Sequence, residues 1–359
     1  MQITSTVQEK LNRFGVGGQM NVEHPHGDLL AAIEAQGRAH NFAINSGFKY
    51  LQGKSASATA APSANAYHFD HFATITKAGT INLSQQTSSA PAGSQYYKRV
   101  AYAAGSSRYV FGQALEAALV SQLAGKTIYV AVKVKKNSTF DKNVELKIQT
   151  NDTADTFSGG TWTTVKTKSV SYNDISASAF TTISTTIALG SSILGLRLSI
   201  GDSAAPANGS QLDYAQVQIC AADVLPEYVL FGGNDQADQR AVLRHFVAYV
   251  GVSGGMVLPS QMVLNDADKV QFVHQLPVPM RSIPTVAFVG SRGIDWDIET
   301  LAGVAEADGV FASGASANPG SALHGAFEFA DTAMATASVV HRVNLKTTSG
   351  QLTFLLDCN

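Results

Sequence analysis

The sequence predicts an all-β protein made of antiparallel sheets, and three observations carry that prediction. The first is hydrophobicity of period two. Ile128, Val130, Val132 and Val134 share one face, with Thr127, Lys133 and Lys135 opposite. Val144, Leu146 and Ile148 alternate with Glu145, Lys147 and Gln149, and Leu194, Leu196, Leu198 and Ile200 alternate with Gly195, Arg197 and Ser199. The second is punctuation: polar, glycine-bearing loops at 151–160 and 201–209 separate these runs. The third is composition, with 45% hydrophobic residues but only 14% charged. Uncharged Ser, Thr, Asn, Ala and Gly fill the difference, as in assembled β proteins. One-sided strands joined by such loops imply two antiparallel sheets packed face to face.

With 359 residues the chain exceeds one ordinary domain. Its patterning divides it into an N-terminal segment (1–40), a first β-sandwich (41–230), a linker with a short helical turn (231–246) and a smaller β-sandwich-like domain (247–359). In the first segment Gly15, Gly17 and Gly18 interrupt any pattern, and Asp28 to Glu34 can form two helical turns started by Asp28. A helix that short needs a packing partner. In the sandwich, Ile183, Ile187 and Leu189 continue the alternation more weakly, and Ala215, Val217 and Ile219 share one side of another strand. Leu115, Leu119 and Leu123 keep helical spacing up to Gly125-Lys126, although a strand from Tyr109 to Glu116 followed by a helical turn fits the same residues. Beyond 247, Ala335, Ala337, Val339, His341, Val343 and Leu345 share one parity, as do Leu352, Phe354 and Leu356.

Several function classes find no support in these residues. The net charge is −2 and no basic cluster appears, so nucleic acid is not an expected partner. No apolar run approaches the ~20 residues of a membrane-spanning helix. The start, Met1-Gln-Ile-Thr-Ser-Thr, lacks the basic and apolar regions of a signal peptide. Cys220 and Cys358 have no neighbouring ligands at zinc spacing and read as small apolar fillers, not a disulfide framework.

Two phrases in the sandwich carry a family likeness. Asn41-Phe-Ala-Ile-Asn45-Ser-Gly47-Phe48-Lys-Tyr50-Leu-Gln52-Gly53 leads to Tyr67-His-Phe-Asp70-His71-Phe72. This resembles the opening of the jelly-roll domains of bacteriophage tail-fibre and other virion adhesion proteins, "N…NG-F…W-Q" then "Y-x-x-D-R-W". Tyr50, Gly53, His71 and Phe72 stand here for a Trp, an Arg, an Arg and a Trp. Further on, Gln211 to Cys220 with Glu227-Tyr228 resembles the closing strand of those domains, and Asp238-Gln-Arg240 with Leu243 to Phe246 resembles the link that follows. The phrase Leu276-Pro-Val-Pro279-Met280-Arg281-Ser-Ile-Pro284-Thr-Val286 is similar to the "F-P-V-P-M-R-x-x-P-T-V" signature of the C-terminal β domain in phage fibre proteins. Its prolines suit an edge or a crossing segment better than a central strand.

The resemblance implies a jelly-roll sandwich followed by a second β domain, in a homotrimeric virion protein assembled in the host cytoplasm. It implies attachment to other virion proteins through residues 1–40 and to host surface glycan through loops, with Asn45, Gly47, Phe48, Asp70, Pro279, Met280, Arg281 and Pro284 in structural roles. A capsid-decoration or head fibre without a receptor, and a polysaccharide depolymerase or deacetylase, are the alternatives.

Glycan binding needs aromatic faces beside hydrogen-bonding groups. Trp162, Tyr172, Tyr50, Tyr67, Trp296 and Asp297 are the candidates, with Trp162 foremost because Gly159-Gly160 before it suggests a loop tip. For catalysis, the strongest pattern is Asp295-Trp296-Asp297-Ile298-Glu299, whose carboxylates on a strand share a face about 7 Å apart. Such acids normally come from separate strands, so a solvated acidic edge is the expected reading and no catalytic residue is assigned. No cofactor is expected. Asp152 and Asp155 lie in an oxygen-rich loop able to hold calcium, although the spacing fits no defined calcium loop. His24 and His26 are two residues apart and could meet at a trimer axis around a metal. Ordinary loop and surface roles account for both pairs.

Overall fold

The structure is a computed structural model that describes residues 40–51, 56–157, 159–222 and 227–243, together with the backbone of strands between 246 and 355. Twelve strands form the first unit. They are β1 (Thr59–Ala60), β2 (Tyr67–Phe69), β3 (Phe72–Lys77), β4 (Ile81–Gln86), β5 (Tyr97–Tyr102), β6 (Tyr109–Leu115), β7 (Thr127–Lys136), β8 (Val144–Asn151), β9 (Thr163–Val170), β10 (Thr181–Ala188), β11 (Gly195–Asp202) and β12 (Gln211–Cys220). One six-stranded sheet runs β1-β4-β5-β12-β7-β10 and the other β2-β3-β6-β11-β8-β9. Every pairing is antiparallel, and consecutive strands repeatedly cross between the sheets, which makes a jelly-roll sandwich.

The alternation seen in the sequence fixes which faces meet. Val130, Val132 and Val134 of one sheet and Leu146, Ile148, Leu198 and Ile200 of the other belong to a single buried cluster. Phe48, Phe69, Phe72 and Phe111 fill one end of it, with ring centroids 4.8–6.3 Å apart. The ambiguous stretch after β6 resolves as strand to Leu115, then helix α1 (Ala117–Leu123), because Val120 and Leu123 can then reach the core. Strand β9 is almost wholly exposed, and its Lys166 and Lys168 suit an edge that must not pair further.

The opening phrase is a polar clasp. Asn45 and Phe48 both adopt positive φ, and Phe48 N–H donates to the Asn45 carbonyl at 2.9 Å. The Asn45 amide donates to the carbonyls of Tyr50 and Asp70, each at 3.0 Å, so the phrase and the Asp70-His71 turn are one unit. Gly47 allows close approach: a Cβ there would lie 3.2 Å from the Tyr228 hydroxyl. Asn41 is fully buried; its amide donates to the carbonyls of Val217 and Val229, and its Oδ1 accepts from the N–H groups of Ala43 and Ile219. A β-bulge in β12 between Ala215 and Gln218 interrupts the pairing to β7 there, and Val217 N–H turns to the Ser46 carbonyl.

The segment expected as a linker docks on this clasp. Helix α2 (Asp235–Leu243) packs Ala241 and Val242 against Ile44, Tyr50 and Phe231. Asp238 is fully buried; its Oδ1 accepts from Asn45 N–H at 2.7 Å, and its Oδ2 has no partner. Burial raises its pKa to about 7, and the nearby Asp235 adds to the effect. Asp202, which accepts from the Tyr102 hydroxyl and Tyr109 N–H between the sheets, is raised to about 6 by burial. Both folded values exceed that of an unfolded carboxyl, so the folded state holds protons more tightly. The contribution of these two carboxyls to stability therefore falls as pH rises from about 4 to 7 and levels off above that. Chemical denaturation at pH 5 and pH 8 should give the larger unfolding free energy at pH 5, and Asp238→Asn should flatten the upper part of the window.

In the C-terminal region the strands pair antiparallel in three small sheets. Strand 351–355 lies between 246–250 and 285–289, and 341–345 lies between 256–257 and 296–300. The third sheet runs 260–266, 269–275, 324–330 and 310–312. Pro279, Met280, Arg281 and Pro284 lie outside the described residues, as do the 1–39 segment with its expected helix and Cys358. Cys220 is a buried free thiol whose pKa burial pushes up to about 12, so it stays protonated.

Candidate functional site

The two outward faces of the sandwich differ. On the β5-β12-β7 face, Asp213 accepts two bonds from Arg99 at 2.7 and 3.0 Å and lies 3.4 Å from the Lys135 ammonium. Tyr97 packs edge-on to Phe180, and Gln216 and Gln218 donate to the carbonyls of Ala92 and Glu227. A cleft of about 230 Å³ opens at this seam, lined by Gly93, Glu227, Tyr228, Val229, Leu230 and Gly233. Its polar side chains are largely spent on each other and on the segments lying over them.

The β11-β8 face carries a different group at its 151–162 end. Gly195 leaves a bare patch of backbone, and Trp162 lies across it; a Cβ on Gly195 would come 3.3 Å from the indole edge. Two residues on, the Arg197 guanidinium sits 4.4 Å from the Trp162 ring and 5.5 Å from that of Phe157. Arg197 Nε donates to Gln149 Oε1 at 3.0 Å, and Nη1 donates to the Phe157 carbonyl at 2.9 Å. Ser199 donates to the same Gln149 oxygen at 2.7 Å. Arg197 is only 8% exposed, and burial lowers its pKa to about 10, so it remains a cation at neutral pH. The indole Nε1 is buried and has no hydrogen-bond partner among the described residues.

The loop that delivers Trp162 is held by the Asn151 side chain. The Asn151 amide donates to the Gly159 carbonyl while Asn151 Oδ1 accepts from Thr153 N–H. Gly160 has φ +68°, and a Cβ there would strike Asn151 at 2.7 Å, so glycine is required for the loop to fold back over β8. The result is an aromatic ring with a fixed cation and an ordered amide beside it, an arrangement suited to binding.

Trp162 therefore sits half-buried against Arg197 and not free at a loop tip, as Gly159-Gly160 had suggested. Tyr172 falls in a short 3₁₀ turn, Tyr172–Asp174, where it packs on the core beneath the Lys136 ammonium, 4.7 Å from its ring. Tyr50 is tied to Asp235 by its hydroxyl. Trp296 and Asp297 lie on a strand paired with Leu345 and Asn344, and their side chains lie outside the described residues. Asp152 is exposed, whereas Asp155 accepts from Ala117 N–H and so begins helix α1. Among the described residues no three His, Cys, Asp or Glu side chains are grouped for a metal. His24 and His26 lie outside them.

Sequence reasoning missed Arg197, Gln149, Ser199 and Phe157. The outward parity of Gln149, Arg197 and Ser199 was visible, but their convergence with Phe157 on Trp162 depends on the fold of the glycine loop.

No protein-family model matches the chain, and no curated protein matches it. Several solved structures do. The N-terminal CBM22-1–GH10 modules of Clostridium thermocellum endo-1,4-β-D-xylanase 10B, complexed with xylohexaose, share 16% identity over 44% of this chain, with a TM-score of 0.28. The enzymatically active domain of bacteriophage CBA120 tailspike protein 4 shares 9% over 45%, with a TM-score of 0.32. TmCBM61 in complex with β-1,4-galactotriose shares 11% over 51% of this chain and all of its own length, with a TM-score of 0.30. The match spans 27% of the xylanase modules and 21% of the tailspike domain. At these values the likeness transfers no residue role, and the jelly-roll assignment rests on the strand order itself.

Proposed function

We propose that the chain is a bacteriophage virion structural protein of the tail-fibre or receptor-binding type, which attaches the particle to host surface polysaccharide and has no catalytic role. The sequence phrases from Asn41 to Phe72 and from Leu276 to Val286 support the virion assignment. The observation that carries the adhesion reading is the Trp162–Arg197 corner: an aromatic surface, a cation and an ordered amide, mounted on a rigid sheet face next to a loop. Residues 1–40 attach to a neighbouring virion protein, and three copies assemble so that strand edges are covered.

Two measurements test this. Immunogold labelling of purified particles is expected to place the chain at the tail; label on the capsid alone, or none, contradicts the proposal. Particles carrying Trp162→Ala should adsorb to host cells about two- to tenfold more slowly, because loss of a stacking aromatic costs roughly 0.5–1.5 kcal/mol. Adsorption at the wild-type rate with folded protein removes Trp162 from the site, and release of reducing sugar or acetate from host polysaccharide would turn the assignment to an enzyme.

A further inference from the structure

The Trp162–Arg197 corner has more donors than acceptors. A guanidinium offers five N–H groups. For Arg197, one hydrogen bond from Nε and one from Nη1 are present, and Nη2 has none. Gln149 Oε1 already accepts from both Arg197 and Ser199, while the Gln149 amide donates to Thr164. Trp162 Nε1 adds a further donor without an acceptor.

The charge is uncompensated as well. Among the described residues Arg197 pairs with no carboxylate; Asp155 in the loop accepts from Ala117 N–H of α1, and Asp152 is exposed. Along the same sheet, Arg108 and Lys147 share one carboxylate, Glu145, at 2.9 and 2.8 Å. With Arg197, that strip holds three cations and one anion, on a chain whose overall charge is −2. A cation nine-tenths removed from water without a counter-ion is costly, and a fold keeps such a group more readily where something supplies the anion.

From this geometry we infer that the corner takes the oxyanion of an acidic sugar, a carboxylate or sulfate ester, with Arg197 as its principal partner and Trp162 stacked alongside. The inference rests on the adhesion reading and names the chemical class of its glycan. Arg197 donates in pairs to such an oxyanion, with geometry that a lysine does not reproduce. Lys147, opposite Ser199 on the neighbouring strand, adds attraction that salt screens.

The test is binding of the purified full chain to an array of uronate-bearing, sialylated, sulfated and neutral oligosaccharides at low and at raised salt. The expected result is binding confined to anionic glycans, weakened by salt, with the carboxylate and sulfate arms showing which oxyanion is preferred. Arg197→Gln should weaken that binding at least about tenfold, the worth of a charge-assisted bond. Arg197→Lys should retain the anionic preference at reduced affinity, and both variants should keep cooperative thermal unfolding. Because Arg197 is buried, an unfolded Arg197→Gln chain shifts the decision to Arg197→Lys and to the salt dependence of the wild type. Equal or preferential binding to neutral glycans overturns the inference and leaves adhesion standing, as does anionic binding untouched by Arg197→Gln. Binding to no glycan removes both.

Discussion

Asn41→Ala is expected to destabilise the sandwich by about 4 kcal/mol, because it strips partners from four backbone groups at once, three of them buried. The side chain is fully buried and joins three parts of the chain: the opening phrase at Ala43, the closing strand at Val217 and Ile219, and the returning segment at Val229. An alanine leaves two N–H groups and two carbonyls without this partner, all but the Val229 carbonyl away from water. Domains have only about 5–15 kcal/mol of net stability, so much of it would be lost. Urea unfolding of the purified chain measures this directly. A loss below about 1 kcal/mol would show that water or backbone movement can replace the amide. Asn41→Asp should be at least as damaging, since it keeps the acceptor, loses both donated bonds and buries a charge.

Lys98→Met is expected to act the other way, stabilising the fold at neutral pH by about 1–4 kcal/mol. Lys98 lies on β5 with the parity of Val100 and Tyr102, so its whole side chain enters the core. Its ammonium lies 3.4 Å from the centre of the Phe111 ring and donates to the Tyr109 hydroxyl at 3.2 Å, with no carboxylate among the described residues paired to it. Burial lowers its pKa well below that of a free lysine. The unfolded chain thus holds the proton more tightly, and Lys98 adds a component of stability that rises with pH until the free-lysine value is passed. Methionine has similar length and no charge to desolvate, so the variant should lose that alkaline rise as well as gain stability. An unchanged or lower unfolding free energy for Lys98→Met would show that the aromatic rings and Tyr109 compensate the amine in full.

How much of this was legible in the sequence depended on whether a residue's role is local. β7, β8 and β11 were readable because each has one face in the core and one outside, so parity alone assigns their residues. The β6–α1 junction was readable only as two alternatives, since Leu115, Leu119 and Leu123 satisfy a helix and Leu115 also ends a strand. Strand β9 gave no signal: an exposed edge of Thr, Lys and Ser has no apolar face to alternate. Asp238 looked like a linker residue, and its burial comes from α2 docking on Asn45, a contact 193 positions apart in the chain. The candidate site was half legible. Trp162 could be picked out as a ring after two glycines, but Arg197 reads as one more outward polar residue until the loop folds the indole onto it.

The proposed glycan site is the β11-β8 face, and hydrogen–deuterium exchange of the full chain with and without host surface polysaccharide is the decisive test. The expected result is slowed exchange in residues 149–162 and 195–199, abolished by Trp162→Ala. Slowed exchange confined to the β5-β12-β7 face or the C-terminal strands, or none anywhere, would contradict it.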